Sequence, residues 1–538
     1  MSGWNFAEVW EAAAEAAPER TALVHDGRSR SWSELDRRAD GLARGLLDAG
    51  LGHQDVVALA LYNGPAYLEA AFAAMKAGLV PVNTNYRYGP DELVHLWTDS
   101  GARAVVFHGE LVAVVEQTRA RVPDVALWVH VDDGTGECPA WATPYADLAR
   151  PASERTRGPW GVSGDDRIVI YTGGTTGLPK GVVWRQHDLY RISDVAHDPD
   201  EPDLDHVRSR VEEKVGPVGL PASPLMHGTG FVFASTLLSR GGTVVTLGER
   251  RLDVPGLLRT IAEQHVSALC IVGDAFARPI VDELDAHPGD YDVSGLRAVS
   301  SSGMVWSDGV KQRLLAHAPE AVLVDLLNSS EASGMGRSVT SARGAGRTGR
   351  FRAGKNTIVI DDENRVIEPG TGGVGRVAVR GILPLGYHND PVKTAATFPT
   401  VDGERVSVPG DWARVEDDGS VTLLGRGSTS INTGGEKVFG EEVEDALRSH
   451  PDVVDAVVVG VPDERFGARV AAMVAAVAPV EEADLIAHVR GRLAAYKAPR
   501  HVLIRDSVGR GPHGKADHPW VTHEIERWLA AGAAPARA

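Results

Sequence analysis

Apolar and polar positions along this chain follow two periods, and the change between them marks its organisation. Over the first 330 residues, short apolar runs alternate with segments whose apolar residues recur at helical spacing. Leu35, Ala39, Leu42 and Leu46 fall on one face of a helix that Ser33 can cap and Gly50 can end. Residues 56–61 then read as a strand, 67–77 as a helix and 79–82 as a strand. Further strand-like runs lie at 104–107, 168–170, 244–247, 268–272, 296–299 and 322–326. Strands separated by helices predict doubly wound, mostly parallel sheets with helices on both faces.

From about 350 to 425 the pattern shortens to strands broken by Gly, Pro and Asp turns such as Asp361-Asp362-Glu363-Asn364, which predicts a β-rich subdomain. A smaller α+β pattern follows, with strand-like stretches at 453–461, 470–477 and 502–504 and a helix near 484–493. The expected fold is therefore α/β. A large N-terminal domain, residues 1–425, includes the β-rich stretch 350–425, and a small mobile α+β C-terminal domain spans 429–538. Gly425-Arg426-Gly427-Ser428 marks the boundary, with 426–428 as a hinge. The acidic tract 198–205 reads as a solvated loop.

A chain of 538 residues exceeds one ordinary core, which supports two or more domains. Its net charge of −18 argues against a nucleic-acid partner and against an anionic membrane surface. The most apolar window, 231–238, is too short to span a bilayer, and the N-terminus has no basic region followed by an apolar run. Two cysteines, Cys138 and Cys270, fit a reducing cytoplasm rather than a disulfide framework. Only nine of the 55 basic residues are lysines, and four of the nine (Lys180, Lys437, Lys497 and Lys515) fall in the motifs below.

The most informative run is residues 171–181, Tyr-Thr-Gly-Gly-Thr-Thr-Gly-Leu-Pro-Lys-Gly, directly after the apolar Ile168-Val169-Ile170. Gly173, Gly174 and Gly177 let the backbone approach a ligand closely. Thr172, Thr175 and Thr176 add hydroxyl donors, and Lys180 adds a mobile point charge suited to phosphate. The run reads as a loop that grips a nucleoside triphosphate. It is not the common P-loop, which ends in Gly-Lys-Ser/Thr, because Pro179 precedes Lys180 and Gly181 follows it.

Further motifs follow in order: Ser300-Ser301-Ser302-Gly303, Asn328-Ser329-Ser330-Glu331, Pro409-Gly410-Asp411-Trp412 and Gly425-Arg426. Gly434-Gly435-Glu436-Lys437, Tyr496-Lys497-Ala498-Pro499-Arg500 and Gly514-Lys515-Ala516-Asp517 complete the series. In this order and spacing the chain resembles, over essentially its whole length, the acyl-adenylate-forming superfamily of acyl-CoA synthetases, peptide-synthetase adenylation domains and luciferases. The run 171–177, Pro-Leu-Met-His-Gly (224–228), Gly-Asp-Ala-Phe-Ala-Arg-Pro (273–279) and Leu-Gly-Arg-Gly-Ser (424–428) are most similar to bacterial fatty-acid and steroid-side-chain CoA ligases.

The resemblance implies ATP, Mg²⁺ and CoA, and two half-reactions. A carboxylate attacks the α-phosphorus of ATP to give acyl-AMP and pyrophosphate, and CoA then displaces AMP. Thr172, Gly173, Gly174, Thr175, Thr176 and Lys180 would hold the phosphates, and Glu331, with Thr176, would bind Mg²⁺. Asn328, Ser329 and Ser330, in the motif that ends at Glu331, would bind the nucleotide, and Ser301, Ser302 and Gly303 would border adenine and the acyl carbonyl. Asp411 and Arg426 would contact the ribose, Lys515 would act in adenylation, His227 would meet the acyl group, and Gly434 and Gly435 would help bind CoA. The usual adenine-stacking aromatic is replaced by Leu327 and the following glycine by Asn328, Ser428 stands at the hinge residue, and Gly440 stands where many relatives carry proline.

Three readings stay open on sequence alone. The first is an acid–CoA ligase, with the small residues Gly228, Thr229 and Gly230 beside His227 admitting a long or bulky acid. The second keeps the adenylating machinery but loads a carrier protein, or activates nitrite for an aromatic amine as a diazotase does. The third is a catalytically dead binding protein, which would have lost Lys515, Glu331 or Asp411; all three are present. The expected partners are a small carboxylic acid and CoA, with a homodimer possible by analogy.

Overall fold

A computed structural model describes residues 3–172, 178–194, 203–344, 346–427, 431–433, 436–463, 467–493, 495–510 and 516–531. The chain divides into two compact units: residues 1–348 with 379–407, and residues 349–378 with 408–538.

The first unit contains two mostly parallel sheets. One runs in the order Ala332–Thr340, Val322–Ser329, Ala298–Ser302, Ala268–Ile271, Val218–Pro221, Thr243–Thr246, Thr21–His25, Arg28–Ser31. It is parallel from Val322–Ser329 through Thr21–His25, and antiparallel at each end. The other is ordered Gly386–Tyr387, Lys180–Arg185, Arg167–Thr172, Val80–Asn83, Val56–Ala60, Ala102–His108, Leu127–Val131, Thr143–Pro144. Here only Lys180–Arg185 runs against its two neighbours.

One core joins Leu23 and Val244 of the first sheet to Leu59 and Ile168 of the second. Helices Phe6–Ala16, Trp32–Asp48, Pro65–Lys76 and Gly228–Ser239 fill the space between with Trp10, Trp32, Phe72 and Phe231. The opposite face of each sheet carries its own layer, around Leu257, Ile280 and Trp306 on one and Trp97, Phe107 and Trp128 on the other. Both sheets are thus doubly wound, as the alternating pattern predicts.

Two local readings change. The helix carrying Leu35, Leu42 and Leu46 begins at Trp32, and its cap is Ser31, whose Oγ accepts from the Glu34 amide at 3.1 Å. Trp32 is fully buried, and the helix starts two residues earlier than a Ser33 cap would give. The acidic tract 198–205 also ends in a helix, Leu204–Glu213, because Asp203 accepts from the His206 amide at 2.7 Å; residues 198–202 lie outside the described residues.

In the second unit, strands Val374–Val379, Asp411–Val415, Ser420–Arg426 and Arg350–Ala353 pair antiparallel in that order, which accounts for the β-rich stretch. A further 5-stranded sheet carries Val453–Asp463, Gly467–Ala476 and His501–Arg505. Successive residues of a strand face opposite sides. Ala456, Val458, Ala472 and Val474 accordingly pack with helices Gly440–Arg448 and Glu482–Arg490, while Val457, Val459, Ala471 and Met473 pack with Val521 and Ile525 of His518–Ala530.

Candidate active site

Strands Arg167–Thr172 and Lys180–Arg185 place Thr172 opposite Lys180, so the Gly/Thr run connects the two arms of a β-hairpin rather than a strand and a helix. Gly173, Gly174, Thr175 and Thr176 lie outside the described residues. The base of the hairpin is held from several directions. The Tyr171 hydroxyl donates to Asp99 at 2.5 Å, and burial together with that bond pushes its phenol well above the ordinary range. His95 Nε2 lies 3.1 Å from the Pro179 carbonyl. Lys180 Nζ donates to Asp390 Oδ2 at 2.6 Å, and that bond holds the Asp390 carboxyl below its usual range. The other Asp390 oxygen accepts from the Lys393 amide at 2.8 Å, capping helix Pro391–Thr397.

Sequence reading misses Asn83, at the end of strand Val80–Asn83. Its Oδ1 accepts from the Tyr171 amide at 2.7 Å, while its Nδ2 donates to the carbonyls of Tyr171 (2.8 Å) and Met226 (2.6 Å). One side chain therefore fastens the hairpin to the segment 224–228. Asn63 grips the same segment by accepting from the Leu225 amide at 2.7 Å and donating to the Pro221 and Ser223 carbonyls, each at 3.1 Å. The available signal was an amide residue just past each of two predicted apolar strands, where a polar group must find backbone partners.

The braced segment leads into His227, which precedes helix Gly228–Ser239. Beside it lies a small cleft, partly open to solvent, lined by Leu59, Tyr67, Ile168, Ile170, His227 and Phe231 among others. Gly230 does not enlarge this space: a Cβ there would come within 2.9 Å of the Ser223 carbonyl, so its smallness serves a close backbone approach.

Asn328, Ser329, Ser330 and Glu331 lie where Val322–Ser329 turns back into Ala332–Thr340, with Ser329 paired to Ala332. Asn328 Oδ1 accepts from the Gly334 amide at 2.7 Å, and Ser329 Oγ accepts from the Ala332 amide at 3.0 Å, so both side chains build the turn. The Ser330 carbonyl accepts from Trp184 Nε1 at 2.9 Å, and Glu331 Oε1 accepts from the Tyr387 hydroxyl at 2.5 Å. Tyr387 pairs with Val182, on the strand that starts at Lys180. Thr172, Lys180 and Glu331 thus share one neighbourhood, and Glu331 keeps one carboxylate oxygen uncommitted among the described residues.

Ser301 is fully buried and its Oγ accepts from the Gly273 amide at 2.9 Å, so its hydroxyl braces the fold; Ser302 is buried beside it and Gly303 is exposed at φ +90°. In the second unit, Asp411 is buried and lies opposite Arg426 across paired strands. Lys497 Nζ donates to Glu442 Oε2 at 2.6 Å, and Glu442 Oε1 accepts from the Phe439 amide at the start of helix Gly440–Arg448. A Cβ on Gly440 would lie 3.1 Å from the Val458 carbonyl, a tight contact that a glycine avoids. Ser428, Gly434, Gly435 and Lys515 lie outside the described residues. No group of three His, Cys, Asp or Glu among the described residues is arranged to hold a metal alone, so a cation at Glu331 needs oxygens from another source.

Two doubly wound sheets carrying a phosphate-type hairpin fastened to an apolar cleft define a nucleotide-dependent α/β enzyme. The comparisons with known proteins narrow this class. The chain belongs to the AMP-binding enzyme family, whose model matches residues 10–387, with the AMP-binding enzyme C-terminal domain matching 442–515. It is 39% identical over 541 residues to the medium/long-chain-fatty-acid–CoA/3-oxocholest-4-en-26-oate–CoA ligase of Mycolicibacterium smegmatis, covering 97% of this chain and 96% of that one. It is also 39% identical over 530 residues to the 3-oxocholest-4-en-26-oate–CoA ligase of Rhodococcus rhodochrous, covering 96% and 95%. ATP-bound MatB from Rhodopseudomonas palustris shares the fold, with a TM-score of 0.79 at 23% identity over 97% of this chain and 99% of that one.

Proposed function

We propose that the protein is an ATP-dependent, AMP-forming acid–CoA ligase for apolar acids of the fatty or steroid-side-chain type. The observation that carries this reading is Asn83, which joins the phosphate hairpin to the apolar cleft beside His227. The names of the full-length relatives support both the acid class and CoA as acceptor. The cytoplasm is the expected compartment: both cysteines are free, and no helix among the described residues is long and apolar enough to cross a membrane.

In this reading the cleft binds the acid by excluding water from its apolar body. One carboxylate oxygen bonds the α-phosphorus of ATP, and the bond from that phosphorus to pyrophosphate breaks. Charge grows on the phosphates, so catalysis is mainly positioning and electrostatics. Thr172, Gly173, Gly174, Thr175, Thr176 and Lys180 supply donors and a cation. Glu331 suits Mg²⁺ because it is a hard oxygen donor with one carboxylate oxygen uncommitted among the described residues. Mg²⁺ would neutralise phosphate charge there, with Thr176 as a second ligand. Asn328, Ser329 and Ser301 act by holding the turn and strand end, and Ser302 and Gly303 border the nucleotide. Asp411 and Arg426 hold the ribose, Lys515 acts in adenylation, and residues 426–428 form the hinge between half-reactions. Gly434 and Gly435 then serve CoA: its sulfur bonds the acyl carbon, the bond from that carbon to the AMP oxygen breaks, and the thiol proton is lost.

Mass spectrometry of the purified protein with ATP, Mg²⁺, CoA and a pool of carboxylic acids tests this reading. A new acyl-CoA mass is expected from an apolar acid. AMP release without a thioester would overturn the acceptor and redirect the assay to carrier protein and nitrite.

A further inference from the structure

Tyr67 lies in the first turn of helix Pro65–Lys76, is 1% exposed, and lines the cleft with its ring 6.3 Å from that of Phe231. Its hydroxyl has no hydrogen-bond partner among the described residues. A buried phenol ordinarily finds one. Two other buried tyrosines do: Tyr145 donates to Glu69 and Tyr171 to Asp99, each at 2.5 Å. Asn83, another polar residue of the cleft, has already committed both ends of its amide to backbone groups. Burial pushes the Tyr67 phenol well above its ordinary range, so the group stays protonated and able to donate.

We infer that Tyr67 is a specificity-determining residue: its hydroxyl donates to an oxygen carried on the body of the acid, away from the reacting carboxylate. The preferred substrates are then apolar acids bearing one carbonyl or hydroxyl oxygen at the depth of Tyr67. This rests on the reading of the cleft as the acid site. A site built to hydrogen-bond a substrate oxygen rejects the analogue that lacks it, because its own polar group is left unpaired.

The test uses the full chain and a series of oxododecanoates with the ketone moved carbon by carbon, set against dodecanoate. Two measurements run in parallel: kcat/KM by ATP–pyrophosphate exchange, and affinity by displacement of a fluorescent fatty acid. The wild type is expected to prefer at least one oxo isomer by about tenfold or more, and Tyr67→Phe to bring that ratio within about twofold. A ratio that survives in Tyr67→Phe, or a wild type indifferent to the ketone at every position, overturns the inference. If no acid supports exchange, the adenylation reading fails, and the displacement ratios still decide the role of Tyr67. Phenylalanine keeps the ring and its packing, and a thermal melt verifies that the variant is folded.

Discussion

Lys180 and Lys76 belong to the same compact unit and each grips carboxylate oxygen at similar distance, yet they sit in opposite surroundings. Lys180 is 49% exposed and, among the described residues, pairs only with Asp390, at 2.6 Å. Lys76 is fully buried and meets Glu11 at 2.7 Å, Asp36 at 2.6 Å and Asp40 at 3.0 Å. Burial pushes the Asp36 carboxyl up; it would do the same to Glu11, but Arg157 and Lys76 outweigh it and hold that carboxyl down. An exposed pair is screened and readily exchanged for another anion, whereas a buried cluster cannot lose one member without stranding the rest. Distance alone therefore does not separate an exchangeable lysine from a structural one; burial and partner number do.

The largest effect that sharpens this contrast is expected at Lys76. Lys76→Met leaves the buried Asp40 and half-buried Asp36 without their ammonium, while Arg157 still faces Glu11, and should lower unfolding free energy by about 3–5 kcal/mol in a urea titration. Lys180→Met should change stability by less than about 0.5 kcal/mol, as an exposed substitution does, while weakening ATP use. Similar stability losses in both variants would break the contrast.

A third lysine extends it with a pH signature. Lys311 is 1% exposed and lies 3.4 Å from Asp325, whose carboxyl burial pushes up to about 6 despite that lysine. A carboxyl with a folded value above its unfolded one favours the native state while protonated, so its contribution is present near pH 4 and is lost as pH rises through 6. Asp325→Asn cannot ionise. Its stability relative to wild type should therefore rise between pH 4 and 6, by up to about 3 kcal/mol. A flat difference across that range would show that Lys311 already compensates the charge.

Next in size come the neutral braces. Asn83→Ala releases both the hairpin and the segment before His227, and should lower the adenylation kcat by about 10- to 100-fold through misplacement of the reacting groups. Amide exchange should quicken both at Tyr171 and across 225–228. Asn63→Ala should quicken exchange in 221–227 and leave Tyr171 protected, since Asn63 touches only that segment. Matching profiles in the two variants would mean that Asn83 supports the fold without linking the two ends of the site.

These residues also mark how far the sequence could be read. The strands at 56–61, 268–272 and 453–461 were legible because their apolar runs are long relative to their turns, and the hairpin motif because glycine, threonine and lysine stand close together in the chain. Lys76 was not legible as structural: its partners Glu11, Asp36 and Asp40 arrive from two other helices. The motif around Ser301 does not show that its hydroxyl accepts from the Gly273 amide, a partner 28 residues away. Asn83 reaches across 88 and 143 residues to its carbonyls. Local motifs reveal which chemistry is present; what a polar side chain holds depends on contacts that no spacing encodes.

The smallest effect is expected at Asp390. In the structure it occupies the Lys180 ammonium, which the proposed function assigns to the triphosphate, so on that reading nucleotide binding and this ion pair compete. Asp390→Asn removes the competing charge while keeping a side-chain oxygen to cap helix Pro391–Thr397, a position where asparagine serves as well as aspartate. An exposed pair is worth about 0.2–1 kcal/mol, so freeing the lysine should lower KM for ATP by about two- to fivefold at most and leave kcat nearly unchanged. The gain should shrink as salt rises, because screening already weakens the pair in the wild type. If KM for ATP rises instead, Asp390 positions Lys180 for the phosphate rather than competing with it, and the exposed lysine would be held in place by its partner much as the buried one is.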